Sequence, residues 1–204
     1  MKKLKLGILI SGNGSNLQAI IDNIKANKLN AEIAIVISDN PDAYGLTRAK
    51  NANIKSIHIN PGKYKTKLSD EAEQEYIKCL KNNKVDLICL AGFMRVLKTN
   101  LLNAFAGKII NIHPALLPSF PGLDAQKQAF DYGVQYTGCT VHFVDNKVDH
   151  GPIIKQAVVE VLQQDTYESL KEKILKQEHK IYSEAIQLIA ENKIRINGRK
   201  TTII

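Results

Sequence analysis

Leu4-Lys5-Leu6-Gly7-Ile8-Leu9-Ile10-Ser11-Gly12-Asn13-Gly14-Ser15-Asn16-Leu17 is an apolar run of strand length, a glycine-rich turn and the first turn of a helical pattern. Leu17, Ile20, Ile21 and Ile24 continue that pattern at helical spacing, which predicts a helix over 15–27. The alternation then repeats. Ala31–Ser38 reads as a second buried strand, 44–52 as a short helix, 54–59 as a third strand and Asp70–Asn82 as a helix. Residues 85–91 form a fourth apolar run, and 101–106 a short helix before a strand at 108–112. Strands alternating with helices imply βαβ units, right-handed crossovers and a mostly parallel, doubly wound sheet.

Past a proline-rich loop the pattern changes. A helix is expected at 124–132, then β runs at 138–144 and 153–161 joined by a turn containing Asp149-His150-Gly151-Pro152. A long amphipathic helix follows at 166–191, capped by Asp165 or Thr166, with Glu168 in its first turn. The tail, 198–204, is expected to fray or add an edge strand. With no repeat, low-complexity segment or linker, residues 1–204 read as one α/β domain, Rossmann-like in its N-terminal half and carrying an antiparallel β extension.

Composition narrows the class. Hydrophobic residues at 44% and charged residues at 24% suit a soluble globular chain. No apolar run approaches the roughly 20 residues that span a bilayer, and Leu4–Ile10 is too short and too soon broken by glycine to be a signal peptide. The expected location is the cytoplasm. Cys79, Cys89 and Cys139 lack metal-ligand spacing and read as reduced thiols, and no metal site is expected. The net charge is +8, but the lysines are scattered and Arg48, Arg95, Arg195 and Arg199 are the only arginines. That pattern argues against nucleic-acid binding and for a solvated basic surface that draws in anionic substrates.

Three stretches carry candidate chemistry. The loop Ser11-Gly12-Asn13-Gly14-Ser15-Asn16 turns sharply into a helix N-terminus, where backbone amides attract a phosphate. Leu17 stands where a dinucleotide fingerprint has its third glycine, and no P-loop lysine follows, so a single phosphate is favoured. A tight turn capped by Ser15 is the alternative. Ala91-Gly92-Phe93-Met94-Arg95 ends the fourth strand with small residues and an adaptable Met94, suited to a flat ligand.

Asn111-Ile112-His113-Pro114 ends the strand after it. Pro114 cannot continue the ladder, so the strand delivers an amide and an imidazole to one side at its carboxyl tip. Such a pair can donate to an oxyanion and move protons. His142, on the same face as Thr140, reads as a buried structural histidine, and His58 and His150 as surface or turn residues. Asp149 could charge an imidazole, although sequence separation does not place it near His113.

Taken together, Ile10 through Leu17, Leu90 through Leu97, Asn111 through Pro114, Pro118 with Pro121-Gly122, and Gly138 through Val144 on to Pro152 resemble the glycinamide ribonucleotide formyltransferases, in that family's order and spacing. The resemblance implies a formyltransferase fold in which 1–110 is the phosphate-binding half, 111–192 the catalytic and folate-binding half, and 193–204 a tail. It implies 10-formyltetrahydrofolate as co-substrate and phosphoribosylglycinamide as acceptor, in a monomer or homodimer without nucleic-acid or membrane partners. His113 would be the general acid/base, Asn111 the donor to the formyl oxygen, and Asp149 the group that raises the pKa of His113. Gly14, Ser15 and Asn16 would hold the phosphate, with Glu178 near the glycinamide end. Met94, Arg95, Val96 and Leu97, with Asn111 and the loop 144–149, would line the folate side.

Two departures stand out. Residues 63–68 contain no arginine where the family usually has a folate-side one, which leaves Lys67 as its substitute, without the planar fork of arginine. After Gly122 the chain reads Leu123-Asp124-Ala125-Gln126, where many relatives have histidines. Formyltetrahydrofolate hydrolase, which shares the Asn-Ile-His-Pro chemistry but transfers to water, is the alternative activity, and normally has an additional N-terminal domain. Methionyl-tRNA formyltransferase would need a further C-terminal domain of about a hundred residues.

Overall fold

The computed structural model describes residues 2–204, which form two compact units divided between Ile110 and Asn111. The first contains β1 (Leu4–Ile10), α1 (Ser15–Lys25), β2 (Ala31–Ser38), α2 (Tyr44–Asn51), β3 (Ser56–His58), α3 (Asp70–Asn82), β4 (Leu87–Leu90) and α4 (Thr99–Ala104). Its strands lie in the order β3-β2-β1-β4, and each neighbouring pair is parallel. Parallel strands are covered on both faces, which explains their near-continuous apolar runs. Leu6, Ile8, Leu9 and Ile10 of β1 and Ile35, Val36 and Ile37 of β2 are wholly buried.

The chain order reverses between β1 and β4, and ligands of open α/β sheets bind at such a switch point. The two strand ends are tied there. The Ser11 amide donates to the Gly92 carbonyl (3.0 Å), and the Met94 amide donates to Ser11 Oγ (2.8 Å).

Boundaries differ from the sequence expectation where tertiary contacts set them. β3 is cut to three residues at the edge of its sheet, with Ile57 exposed. α4 starts at Thr99 rather than 101 because the buried Glu73 carboxylate of α3 accepts the Leu101 amide and Asn100 Nδ2, both at 3.0 Å. Glu73→Ala strands that amide, so an unfolding curve should show a loss of about 1–3 kcal/mol.

β5 (Ile109–His113) carries the boundary into the second unit, which continues with α5 (Ala125–Tyr132), β6 (Tyr136–Phe143), β7 (Ile153–Glu160), α6 (Tyr167–Ala190), β8 (Ile194–Asn197) and β9 (Lys200–Ile203). β6 and β7 are antiparallel, with Gly138 opposite Val158 and His142 opposite Ile153. Seven strands thus belong to a mixed, mostly parallel sheet flanked by helices. Of the two expected caps for α6, Thr166 is the one used, in a reciprocal capping box with Ser169. Leu170, Ile174, Ile181, Ala185 and Ile186 bury that helix against β6 and β7.

The tail neither frays nor extends the large sheet. Gly198-Arg199 turns it into a separate antiparallel hairpin, β8–β9, with Gly198 at φ +59° as the first residue of this two-residue loop. No helix among the described residues is long and apolar enough to cross a membrane.

Candidate active site

In the second unit the end of β5 and the loop after β6 converge on one carboxylate. Asp149 Oδ2 lies 3.3 Å from His113 Nδ1 and accepts the Gly122 amide at 2.8 Å. Its Oδ1 accepts from Asn111 Nδ2 at 3.4 Å and stands 3.7 Å from His142 Nε2. The distant residues Asn111, His113 and Asp149 are therefore neighbours. His113 is 4% exposed, and the Asp149 side chain 10%.

Hydrogen bonds set the ring states. His113 Nε2 donates to the Phe120 carbonyl (2.8 Å), so in the neutral ring Nδ1 carries the lone pair that faces Asp149. A proton arriving at Nδ1 would meet a carboxylate. His142 Nδ1 donates to the Phe143 carbonyl (2.8 Å), which leaves Nε2 to accept from Asn111 Nδ2 at 3.3 Å. Both contacts of the Asn111 amide are longer than the usual 2.9–3.0 Å or so, so an incoming oxygen can displace either.

Burial is the largest influence on His113 and holds its pKa below the ordinary 6.5, while Asp149 and the Phe120 carbonyl pull it upward. The sequence expectation had the carboxylate raising this pKa. The pull is present, but loss of hydration outweighs it. Burial also pushes Asp149 upward, yet the neighbouring His142 and His113 rings and the Gly122 amide hold it below the usual carboxylate value. Near neutral pH the centre is a neutral imidazole beside an ionised carboxylate.

Local backbone presents these groups. Phe120, Gly122 and Asp149 all have positive φ, of +53°, +86° and +50°. Non-glycine residues adopt that conformation where surrounding contacts impose it. Thr140 Oγ1 supplies one such contact, accepting the Leu117 amide and donating to the Ala115 carbonyl, which pins the loop after His113. Gly151 closes the other side, where an added Cβ would stand 1.8 Å from the Phe143 carbonyl oxygen.

His142 is the member that sequence reading set aside. Its place two residues after Thr140, on the same face of β6, was the available signal.

The first unit holds the other predicted groups. Gly14, at φ +73°, is the N-cap of α1, so the turn is not capped by Ser15, and a Cβ on Gly14 would stand 2.7 Å from Gly45 Cα. Arg48, unremarked in the sequence, braces the loop through Asn13, with Nε to its carbonyl (2.8 Å) and Nη2 to its Oδ1 (2.9 Å). Asn16 is buried at the start of α1.

Met94 and Val96 are exposed and Leu97 is buried. Arg95 is engaged within the protein. Its Nε pairs with Asp39 Oδ2 (2.6 Å), and its Nη1 donates to the carbonyls of Tyr64 (2.7 Å) and Lys65. Lys67 bridges Val96 through the backbone and sets its ammonium 4.7 Å over the Tyr64 ring. In the second unit Glu178 lies on the buried face of α6, and its charge adds to the burial that pushes the Cys139 thiol up to about 12. Among the described residues no cluster of His, Cys, Asp and Glu is arranged to hold a metal ion.

A family model described as "Formyl transferase" matches residues 4–186. The chain belongs to the formyl transferase family. It is 44% identical to phosphoribosylglycinamide formyltransferase of Bacillus subtilis, covering 92% of this chain and 96% of that protein. It is 44% identical to the trifunctional purine biosynthetic protein adenosine-3 of Chironomus tentans, where it covers 98% of this chain but spans only 15% of that protein's length. Among solved structures, glycinamide ribonucleotide transformylase 1 from Symbiobacterium toebii superposes with a TM-score of 0.94 at 48% identity, covering 100% of this chain and 95% of that one. A formyltetrahydrofolate deformylase from Pseudomonas syringae pv. tomato matches at TM-score 0.90 and 26% identity, covering 99% of this chain and 66% of that one.

Within this formyl transferase the Asn111–His113–Asp149–His142 cluster brings together an amide, two imidazoles and a carboxylate. Acyl transfer to a nucleophile can use an amide that donates to an oxyanion and an imidazole that moves protons.

Proposed function

We propose that the chain transfers the formyl group of 10-formyltetrahydrofolate to the amine of phosphoribosylglycinamide, giving formylglycinamide ribonucleotide and tetrahydrofolate. The observation that carries this is the Asp149 carboxylate within reach of both Asn111 and His113. Family membership and the names of the relatives support it. As the amine attacks the formyl carbon, a C–N bond forms and the carbonyl oxygen becomes an oxyanion, to which Asn111 Nδ2 donates. His113 takes the amine's proton, stabilised by Asp149, and returns one to the folate nitrogen as its bond to carbon breaks.

Gly14, Ser15 and Asn16 hold the ribonucleotide phosphate, and Glu178 serves the glycinamide end. Met94, Val96, Leu97 and the loop 144–149 line the folate side, with Lys67 toward the folate's acidic end. Arg95 acts there through its backbone, because its guanidinium is committed to Asp39 and the 64–65 carbonyls. The enzyme works in the cytoplasm, as a monomer or homodimer, on small molecules alone.

The test is mass-spectrometric detection of product from purified protein and 10-formyltetrahydrofolate, with and without phosphoribosylglycinamide. Formylated ribonucleotide formed only with both substrates is the expected result. Formate released equally without the amine would assign the hydrolase activity instead. In the same assay Asn111→Ala should lower kcat by about 10²–10³-fold, the usual cost of one oxyanion donor. A variant that turns over like wild type would remove Asn111 from that role.

A further inference from the structure

The hairpin β8–β9 has no part in the roles above, yet its turn touches the segment that carries Asp149. Arg199 Nη1 lies 3.0 Å from Nδ1 and 2.9 Å from Nε2 of His150, and His150 Nδ1 lies 2.9 Å from Asp145 Oδ2. One arrangement joins all three groups: Nδ1–H donates to Asp145, and the Arg199 guanidinium, nearly equidistant from both ring nitrogens, lies over the imidazole face. The other Asp145 oxygen accepts the Lys147 amide at 2.9 Å, so the two ends of 145–150 close on one carboxylate. Beyond Gly151-Pro152, Thr201 Oγ1 donates to the Ile153 carbonyl (2.5 Å), which seats the hairpin on the start of β7.

Asp149 stands inside this closed segment, next to His150, at φ +50°. Its carboxylate faces the buried cluster while the segment's outer side meets Arg199. The outer contacts are half exposed, with 43% exposure for the His150 side chain and 32% for Asp145. Exposed pairs add little to stability, so their consequence is geometric. A misplacement of about 1 Å at a reacting centre can cost on the order of 10²-fold in rate.

We propose that Arg199 is a positioning residue for Asp149, acting through His150 and Asp145 to hold the 145–150 segment; this rests on the catalytic role proposed for Asp149. The test compares the full chain with Arg199→Ala and Arg199→Lys, by steady-state kinetics and by amide hydrogen exchange. Arg199→Ala should lower kcat on the order of tenfold with the KM for phosphoribosylglycinamide unchanged. Exchange should quicken at 145–150 but not in α6. Arg199→Lys, which keeps one donor, should recover part of the loss.

Unchanged kcat in Arg199→Ala overturns the proposal, whatever the exchange shows. So does a loss accompanied by faster exchange throughout the second unit, which would be general loosening. If the wild-type chain transfers no formyl group, the functional reading fails separately. Unchanged exchange at 145–150 in Arg199→Ala would then overturn the latch by itself.

Discussion

Replacing His113 with alanine should lower kcat by about 10²–10⁴-fold, the range over which one positioned acid–base group contributes. The imidazole joins the Phe120 carbonyl to Asp149, and no other ring in the cluster makes both contacts. The fold should survive, because Asp149 keeps the Gly122 amide and Asn111, and Thr140 still pins the loop. Turnover should be measured beside a melting curve. A folded variant within tenfold of wild type would exclude His113 as the proton carrier. Added imidazole should restore part of the rate, since the substitution leaves a ring-sized gap against two acceptors.

Asp149→Asn has the second largest expected effect, a loss of about 10²-fold or more at neutral pH. The amide nearly reproduces the carboxylate's shape and can still accept from Gly122. It removes the charge that opposes burial at His113, so the imidazole pKa falls further below 6.5. Whichever limb of the pH–rate profile reports His113 therefore moves to lower pH. An unmoved limb would show that Asp149 does not tune the ring.

Stability follows with a defined sign. The unfolded chain binds a proton at His113 more readily than the folded one, so this contribution is complete above 6.5 and is lost as pH falls toward the folded value. The depressed carboxylate of Asp149 adds stability above 3.8 that is lost as pH falls through its folded pKa, and the asparagine variant lacks it.

The strands and helices that bury an apolar face were legible in sequence, because periodicity reports burial directly. β1, β2 and α3 match the expected bounds throughout. Elements set by a partner were not. α4 starts where the Glu73 carboxylate receives its amides, and the tail hairpin depends on the turn Gly198-Arg199, whose glycine was in plain view. The strand-end pair Asn111 and His113 stood out because alternation and Pro114 act locally. The family resemblance supplied Asp149, which spacing could not place. His142 was seen but read as a structural histidine, while the bracing by Arg48 and the Phe120 carbonyl escaped notice because each works through backbone atoms or long-range contacts that leave no local pattern.

The position of β1 has a consequence for synthesis on the ribosome. It leaves the ribosome before its partners, and β2 arrives soon afterward to pair with one of its edges. The other edge waits for β4 at Leu87–Leu90. At about 5–20 residues per second, that delay is on the order of 4–16 s. Throughout it, a largely apolar strand presents unpaired amides and carbonyls to whatever the nascent chain meets. Yield in the cell should thus depend on chaperone supply during translation more than on the stability of the finished fold.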